Sequence, residues 1–256
     1  MKICSALPLV ALSLVGICHG AGFSTNFNSG YDNTQAVAGQ NGWSINDSTA
    51  DLSFFVTYNF TDAAAVGGYY DAPALPDVRL SHGVSLPLVQ TSLGADFAIV
   101  PSTLSFPGRD TFGWSFYNGS GSNLLTIMLE PDTSNPVLLN ATWSTGAGGM
   151  SSTGLGVEYN GPYSFHVEFS NAGGGNAAFT ATLVGANSVS WSGTLPGMAN
   201  ETLASFGENW RKGTGAAGDN YMLMDNVFVV PEPSSIFILA GSVAVPLLAR
   251  RRRTSR

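Results

Sequence analysis

The chain has 256 residues, 17 of them acidic and 10 basic, and its two cysteines, Cys4 and Cys18, both lie within the first twenty positions. Between residues 21 and 230 four basic residues, Arg79, Arg109, Arg211 and Lys212, stand against sixteen acidic ones, a net charge of −12. Such a body repels nucleic acid and anionic lipid. Without cysteine it has no disulfide, no thiolate nucleophile and no cysteine metal site.

At the amino terminus Met1-Lys2 is a short positive segment and Ile3 to Ile17 an uncharged apolar one. Cys18-His19-Gly20 then places small residues at the positions a leader protease reads before Ala21. This order predicts a secretory signal peptide over 1–20 with a helical apolar segment. The alternative, a lipidated Cys18, wants Gly or Ala before the cysteine and meets Ile17. The following 210 or so residues are enough for one sizeable core, and all-β domains of that length are often undivided.

Along the body, short runs of β-branched and aromatic residues alternate with clusters of Gly, Asn, Ser and Asp. The runs 54–60, 84–89, 97–100, 111–117, 124–129, 137–143, 163–169, 178–184, 188–194 and 221–230 read as strands. In the fourth, Phe112, Trp114 and Phe116 alternate with Thr111, Gly113, Ser115 and Tyr117, so one face is apolar. Asn118-Gly119-Ser120-Gly121, the segment from Pro131 to Pro136, and Gly173-Gly174-Gly175-Asn176 are turn sequences. Ala199 to Phe206 reads as a short helix or a loop. No stretch longer than about ten residues keeps a helical period, and no fixed repeat is present. The expectation is an all-β chain: one antiparallel β-sandwich over 21–230 with roughly ten to fourteen strands.

Chemistry-bearing residues are few. The nearest acid pairs are Glu130-Pro131-Asp132, broken by proline in a turn, and Glu158 with Glu168. Glycoside hydrolysis needs two carboxylates about 5 to 10 Å apart across the bond, and nothing in the spacing places two acids so. The body's two histidines, His82 and His166, read as structural, His166 pointing out between Phe165 and Val167. No Gly-x-Ser-x-Gly elbow accompanies them. Asp219-Asn220 and Asp225-Asn226, with Asp32 and Asn33, are oxygen donors for a Ca²⁺ ion or, more ordinarily, turn residues that satisfy the backbone. Trp43, Trp114, Trp143, Trp191 and Trp210 belong to the core of a disulfide-free sandwich; an exposed one among them, or Tyr69 and Tyr70, would serve to stack on a sugar ring.

The last part of the chain, 231–256, has a different character. Pro231-Glu232-Pro233-Ser234 stops any strand or helix from running through it. Ile236 to Ala249 is an uncharged apolar run of 14 residues, and Arg250-Arg251-Arg252-Arg253 follow it. As a helix that run is about 21 Å long, a thin span when Ser234 and Ser235 are added and the arginines snorkel. The arginines stay on the cytoplasmic side. This three-part tail resembles the PEP-CTERM sorting signal. The resemblance implies export to the envelope of a Gram-negative, exopolysaccharide-producing bacterium. It also implies transient anchoring in the inner membrane and processing by an exosortase, a membrane protease-transpeptidase.

A second resemblance lies in the body. Phe27, Gly30, Tyr31 and Gln40-Asn41-Gly42-Trp43 near its start, and Asp225-Asn226-Val227-Phe228-Val229-Val230 at its end, are similar to the opening and closing motifs of laminin-G/concanavalin-A-like jelly rolls. The resemblance implies two curved antiparallel sheets whose first and last strands pair, with a concave face that often binds glycans and loops that often bind Ca²⁺. The Glu-x-Asp-x-x-Glu strand of the glucanases of that fold is missing. The expected function is therefore a non-enzymatic cell-surface or extracellular-matrix protein without an obligatory cofactor. The alternative is a lectin-like carbohydrate-binding module, with exopolysaccharide as a partner; a hydrolase or lyase trails both.

Overall fold

The computed structural model describes residues 22–47, 54–56, 63–66, 77–100, 110–135, 138–146, 148–158, 161–186, 188–213 and 221–231. The leader, Tyr69, Tyr70, Arg109, Asp219 and the tail from Glu232 onward lie outside them. So do the two terminal helices expected from the sequence. Among the described residues no helix is long and apolar enough to cross a membrane.

The described residues form β1 (Phe23–Thr25), β2 (Trp43–Ile45), β3 (Phe54–Val56), β4 (Ala63–Val66), β5 (Asp77–Pro87), β6 (Thr91–Val100), β7 (Thr111–Tyr117), β8 (Asn123–Pro131), β9 (Leu138–Thr145), β10 (Gly148–Glu158), β11 (Tyr163–Gly173), β12 (Asn176–Val184), β13 (Ser188–Leu195), β14 (Thr202–Arg211) and β15 (Tyr221–Pro231). They make two antiparallel sheets. One runs β10-β9-β8-β7-β14-β5-β2; the other runs β13-β12-β11-β6-β15-β4-β3, with β1 also on β15. The first and last strands pair as the jelly-roll resemblance implies, Phe23 opposite Val229 and Thr25 opposite Val227.

Period-two alternation builds the core. On β7 Phe112, Trp114 and Phe116 turn inward, and on β11 Tyr163, Phe165, Val167 and Phe169 meet them. Trp114 stacks on Phe165 with centroids 4.2 Å apart and meets Phe97 of β6 edge-on at 4.7 Å. Phe116 with Phe169, and Trp143 with Phe179, repeat the contact between the sheets. Each such pair adds about 0.5–1.5 kcal/mol to the burial of its rings.

The opening motif closes one end of this core. Asn41 and Gly42 both take positive φ, 46° and 87°. That bend lets Asn41 Nδ2 donate to the Gly30 carbonyl at 2.7 Å and sends Trp43 into the core. Trp43 Nε1 donates to the Tyr31 hydroxyl, and Phe27, Tyr31 and Trp43 pack ring on ring. Gly42 also fits because His82 lies against it: a Cβ there would come within 2.9 Å of His82 Nε2.

Three readings of the sequence are corrected. Ala199 to Glu201 is a turn, but Thr202 to Phe206 is neither helix nor loop: β14 begins at Thr202 and is a central strand between β7 and β5. A register shift between Leu203 and Ser205 moves its inward face out of simple alternation, and Glu208 on that face hides the apolar pattern. The run 84–89 is displaced. The strand starts at Asp77 and ends at Pro87, and Gln90, at φ 76°, turns the chain into β6. That strand spans 91–100 rather than 97–100; the small residues Ser92, Gly94 and Ala95 conceal it, although it is buried between β11 and β15.

Candidate functional site

The outward face of the seven-stranded sheet carries a polar groove. Its side chains are the alternates of the core residues. On β5 Val78 and Leu80 turn in, so Asp77 and Arg79 turn out; on β14 Trp210 turns in, so Asn209 and Arg211 turn out. With Tyr117 of β7, Asn123 and Thr126 of β8, Ser144 and Thr145 of β9, Gly146 and Asn46, they line about 500 Å³ of open space.

Hydrogen bonds organise the floor. Asn209 Nδ2 donates to Ser115 Oγ. Ser115 Oγ and Thr126 Oγ1 share a bond of 2.7 Å, and Asn123 Nδ2 donates to Thr126 Oγ1 at 2.8 Å. The line of bonds crosses β14, β7 and β8. At its end Asn209 Oδ1 has no partner, although Asn209 is only 6% exposed. An acceptor left so is costly unless something donates to it.

The walls are charged. Arg211 Nε donates to Asp77 Oδ1 at 2.7 Å across the β14–β5 ladder, both groups half-exposed. The Arg79 guanidinium lies over the Tyr117 ring, 4.6 Å from its centroid. To do so it crosses β14, which offers Gly207 midway between the partners of Arg79 and Tyr117. Among the described residues no carboxylate lies within ion-pair distance of Arg79. Asn46 pins the backbone beneath both charged residues of β5: its Oδ1 accepts from Arg79 N at 2.6 Å, and its Nδ2 donates to the Asp77 carbonyl.

No protein-family model matches this chain, and no curated protein matches it. Solved structures do resemble it. A PL-14 alginate lyase from Aplysia kurodai has a TM-score of 0.56 at 13% identity, covering 82% of this chain and 98% of that one. Lectin II from Ulex europaeus has a TM-score of 0.56 at 9% identity, covering 84% and 100%. The carbohydrate recognition domain of Emp47p has a TM-score of 0.51 at 10% identity, covering 84% and 98%. At these identities the likeness is one of fold: the chain has the two-sheet jelly-roll architecture of these three proteins.

The residues singled out from the sequence fall elsewhere. Trp43, Trp114, Trp191 and Trp210 are buried and Trp143 packs against the same core, so no tryptophan lines the groove. His82 is buried, stacks on Phe23 at 3.7 Å and lies 2.9 Å from the Asn41 carbonyl; desolvation lowers its pKa. His166 is half-exposed on the other sheet, 3.9 Å from Glu168. Asp132 Oδ1 accepts from Ser134 and Asn135 and so closes a turn, and Asp32 does the same for Thr34. Glu158 and Glu168 sit on different sheets. Asp225 is buried and accepts from its neighbour's amide. Among the described residues no three of His, Cys, Asp and Glu gather as metal ligands.

The groove residues Arg79 and Arg211 were counted in the sequence as two of four body cations, but not as a site. Their scarcity was the available signal. Glu208 was not singled out at all. It points between the sheets, fully buried, with both carboxylate oxygens unpartnered, and desolvation pushes its pKa well above the usual carboxylate range.

Proposed function

We propose that this protein is an exported, non-enzymatic cell-surface or matrix protein whose β-sandwich holds a carbohydrate in the groove of the seven-stranded sheet. The observation that carries this reading is the groove itself: about 500 Å³, open, and lined by amide, hydroxyl and guanidinium groups. Sugar hydroxyls exchange hydrogen bonds with such groups. The fold it shares with proteins named as lectins supports the reading. So does the groove's acidic content: among the described residues its one lining carboxylate, Asp77, is tied to Arg211, so none of them stands free there to protonate a glycosidic oxygen. The named lyase neighbour makes bond cleavage the outcome to exclude.

The tail supports the cellular half of the proposal. The leader 1–20 delivers the chain out of the cytoplasm, the body 21–230 folds there, and the PEP-CTERM tail 231–256 is processed by an exosortase at the membrane. Blots of membrane and medium from hosts with and without exosortase test this part. Glu232→Ala should leave folding intact and make full-length protein accumulate in the membrane, whereas identical size and location in both hosts would refute sorting. The binding half is tested by passing the purified protein over immobilised polysaccharides. Retention without release of shortened or unsaturated sugars is expected; release would make it an enzyme.

A further inference from the structure

Resting on the carbohydrate reading of the groove, we infer that its ligand is an acidic polysaccharide, one whose sugars carry carboxylate or sulfate groups. Charge placement is the first argument. Of the four cationic residues in a body of net charge −12, two, Arg79 and Arg211, line this one groove, and among the described residues a single acidic one, Asp77, lines it beside them. The site is a cationic spot in an anionic surface. That arrangement attracts an anion locally while the rest of the body repels indiscriminate polyanion binding.

The second argument is what the groove lacks. Neutral sugar rings are commonly held by an aromatic face on one side. All five tryptophans belong to the core, and the one aromatic ring lining the groove among the described residues, Tyr117, has the Arg79 guanidinium over its face. That ring is therefore taken as a platform, and it serves instead as a seat that orients the guanidinium.

The third argument is the state of the two guanidiniums. Arg79 uses none of its five side-chain donors within the described protein, and Arg211 commits its Nε to Asp77. A planar fork fits carboxylate and sulfate oxygens in pairs, which a lysine does not. Asn123 and Ser144, half-buried in the lining, stand beside them as partners for the hydroxyls of the same sugar. An anionic group would satisfy guanidinium donors that the folded chain leaves open.

The test is retention of the purified protein on three immobilised polymers: a polyuronate, a sulfated polysaccharide and a neutral glucan. Arg79→Gln and Arg211→Gln are run alongside, with melting curves to establish that both fold. The expected result is retention on the polyuronate, the sulfated polymer or both, which also names the anionic group. Each substitution should weaken retention by about tenfold or more, the loss expected for a charge-assisted bond. Raising salt from about 0.1 M to about 1 M, where the screening length falls from about 10 Å to about 3 Å, should weaken it further. Retention on the neutral glucan alone would overturn the acidic-ligand inference and leave the carbohydrate reading standing. Acidic retention that neither substitution alters would overturn it by placing the contact elsewhere. No retention on any polymer would overturn both.

Discussion

The two faces of β14 make opposite use of one strand. Inward it presents Phe206, Glu208 and Trp210 to the space between the sheets; outward it presents Asn209 and Arg211 to the groove. Both faces carry an unsatisfied polar group. On the inner face the Glu208 carboxyl, opposite Trp114 and Leu80, is sealed from solvent and makes no hydrogen bond. On the outer face Asn209 Oδ1 is likewise closed off from solvent, but Arg79, its residue's partner across the β14–β5 ladder, holds its guanidinium at the open groove. The inner face therefore carries a stability cost, and the outer face carries donors that a ligand can reach.

The largest expected effect comes from breaking the inner face. Trp210 is fully buried, and its Nε1 donates to Asp110 Oδ2 at 2.8 Å. Trp210→Ala should cost about 3–5 kcal/mol in urea unfolding, and a loss under about 1 kcal/mol would mean the ring is not the packing centre its burial implies. Gly207→Ala perturbs both faces at once. Its Cβ would fall 2.1 Å from the Leu80 carbonyl oxygen, so the ladder must shift at a cost of about 1–3 kcal/mol. That shift moves β14 against β5, the strands that carry Arg211 and Arg79, so glycan retention should fall with stability.

Glu208 sharpens the comparison through pH. Its folded pKa is raised above its unfolded value near 4.5. Below that value both states are protonated and there is no penalty. As pH rises above it the unfolded chain sheds the proton first, so stability falls, by at most about 1.4 kcal/mol per pH unit, until the folded pKa is reached. Glu208→Leu should flatten that slope and raise stability at neutral pH by about 1–3 kcal/mol. Unfolding free energies measured across pH check this, and an unchanged slope would mean another group sets it. His82 acts in the opposite sense and more weakly: its lowered pKa makes folding less favourable as pH falls below about 6.5.

These two faces also mark how far the sequence was legible. Phe112-x-Trp114-x-Phe116 and Tyr163 to Phe169 obey period two without interruption, and the strands there begin where the pattern begins. The opening and closing motifs pointed to a jelly roll, and their residues build the end of the core and the β1–β15 pair. β14 was missed because its inward row reads Phe206, Glu208, Trp210 with a register shift ahead of it, so hydrophobic alternation fails where a carboxyl is buried. The groove was missed for another reason. Asp77, Arg79, Tyr117, Asn123, Thr126, Asn209 and Arg211 come from four strands and meet only through the antiparallel register. No local spacing announces them, and the tryptophans drew attention to the wrong face.

A carbohydrate held in this groove against Arg79 and Arg211 should be seen at those side chains first. NMR can follow the arginine Nε–H resonances and the backbone amides of the protein while an acidic oligosaccharide is added. The Arg79 and Arg211 side-chain signals should move together with the amides of Asn209 and Thr126, while those of Asp96, Ser164 and Asn226 on the opposite sheet stay in place. Shifts confined to that opposite sheet, with Arg79 and Arg211 unmoved, would contradict that placement.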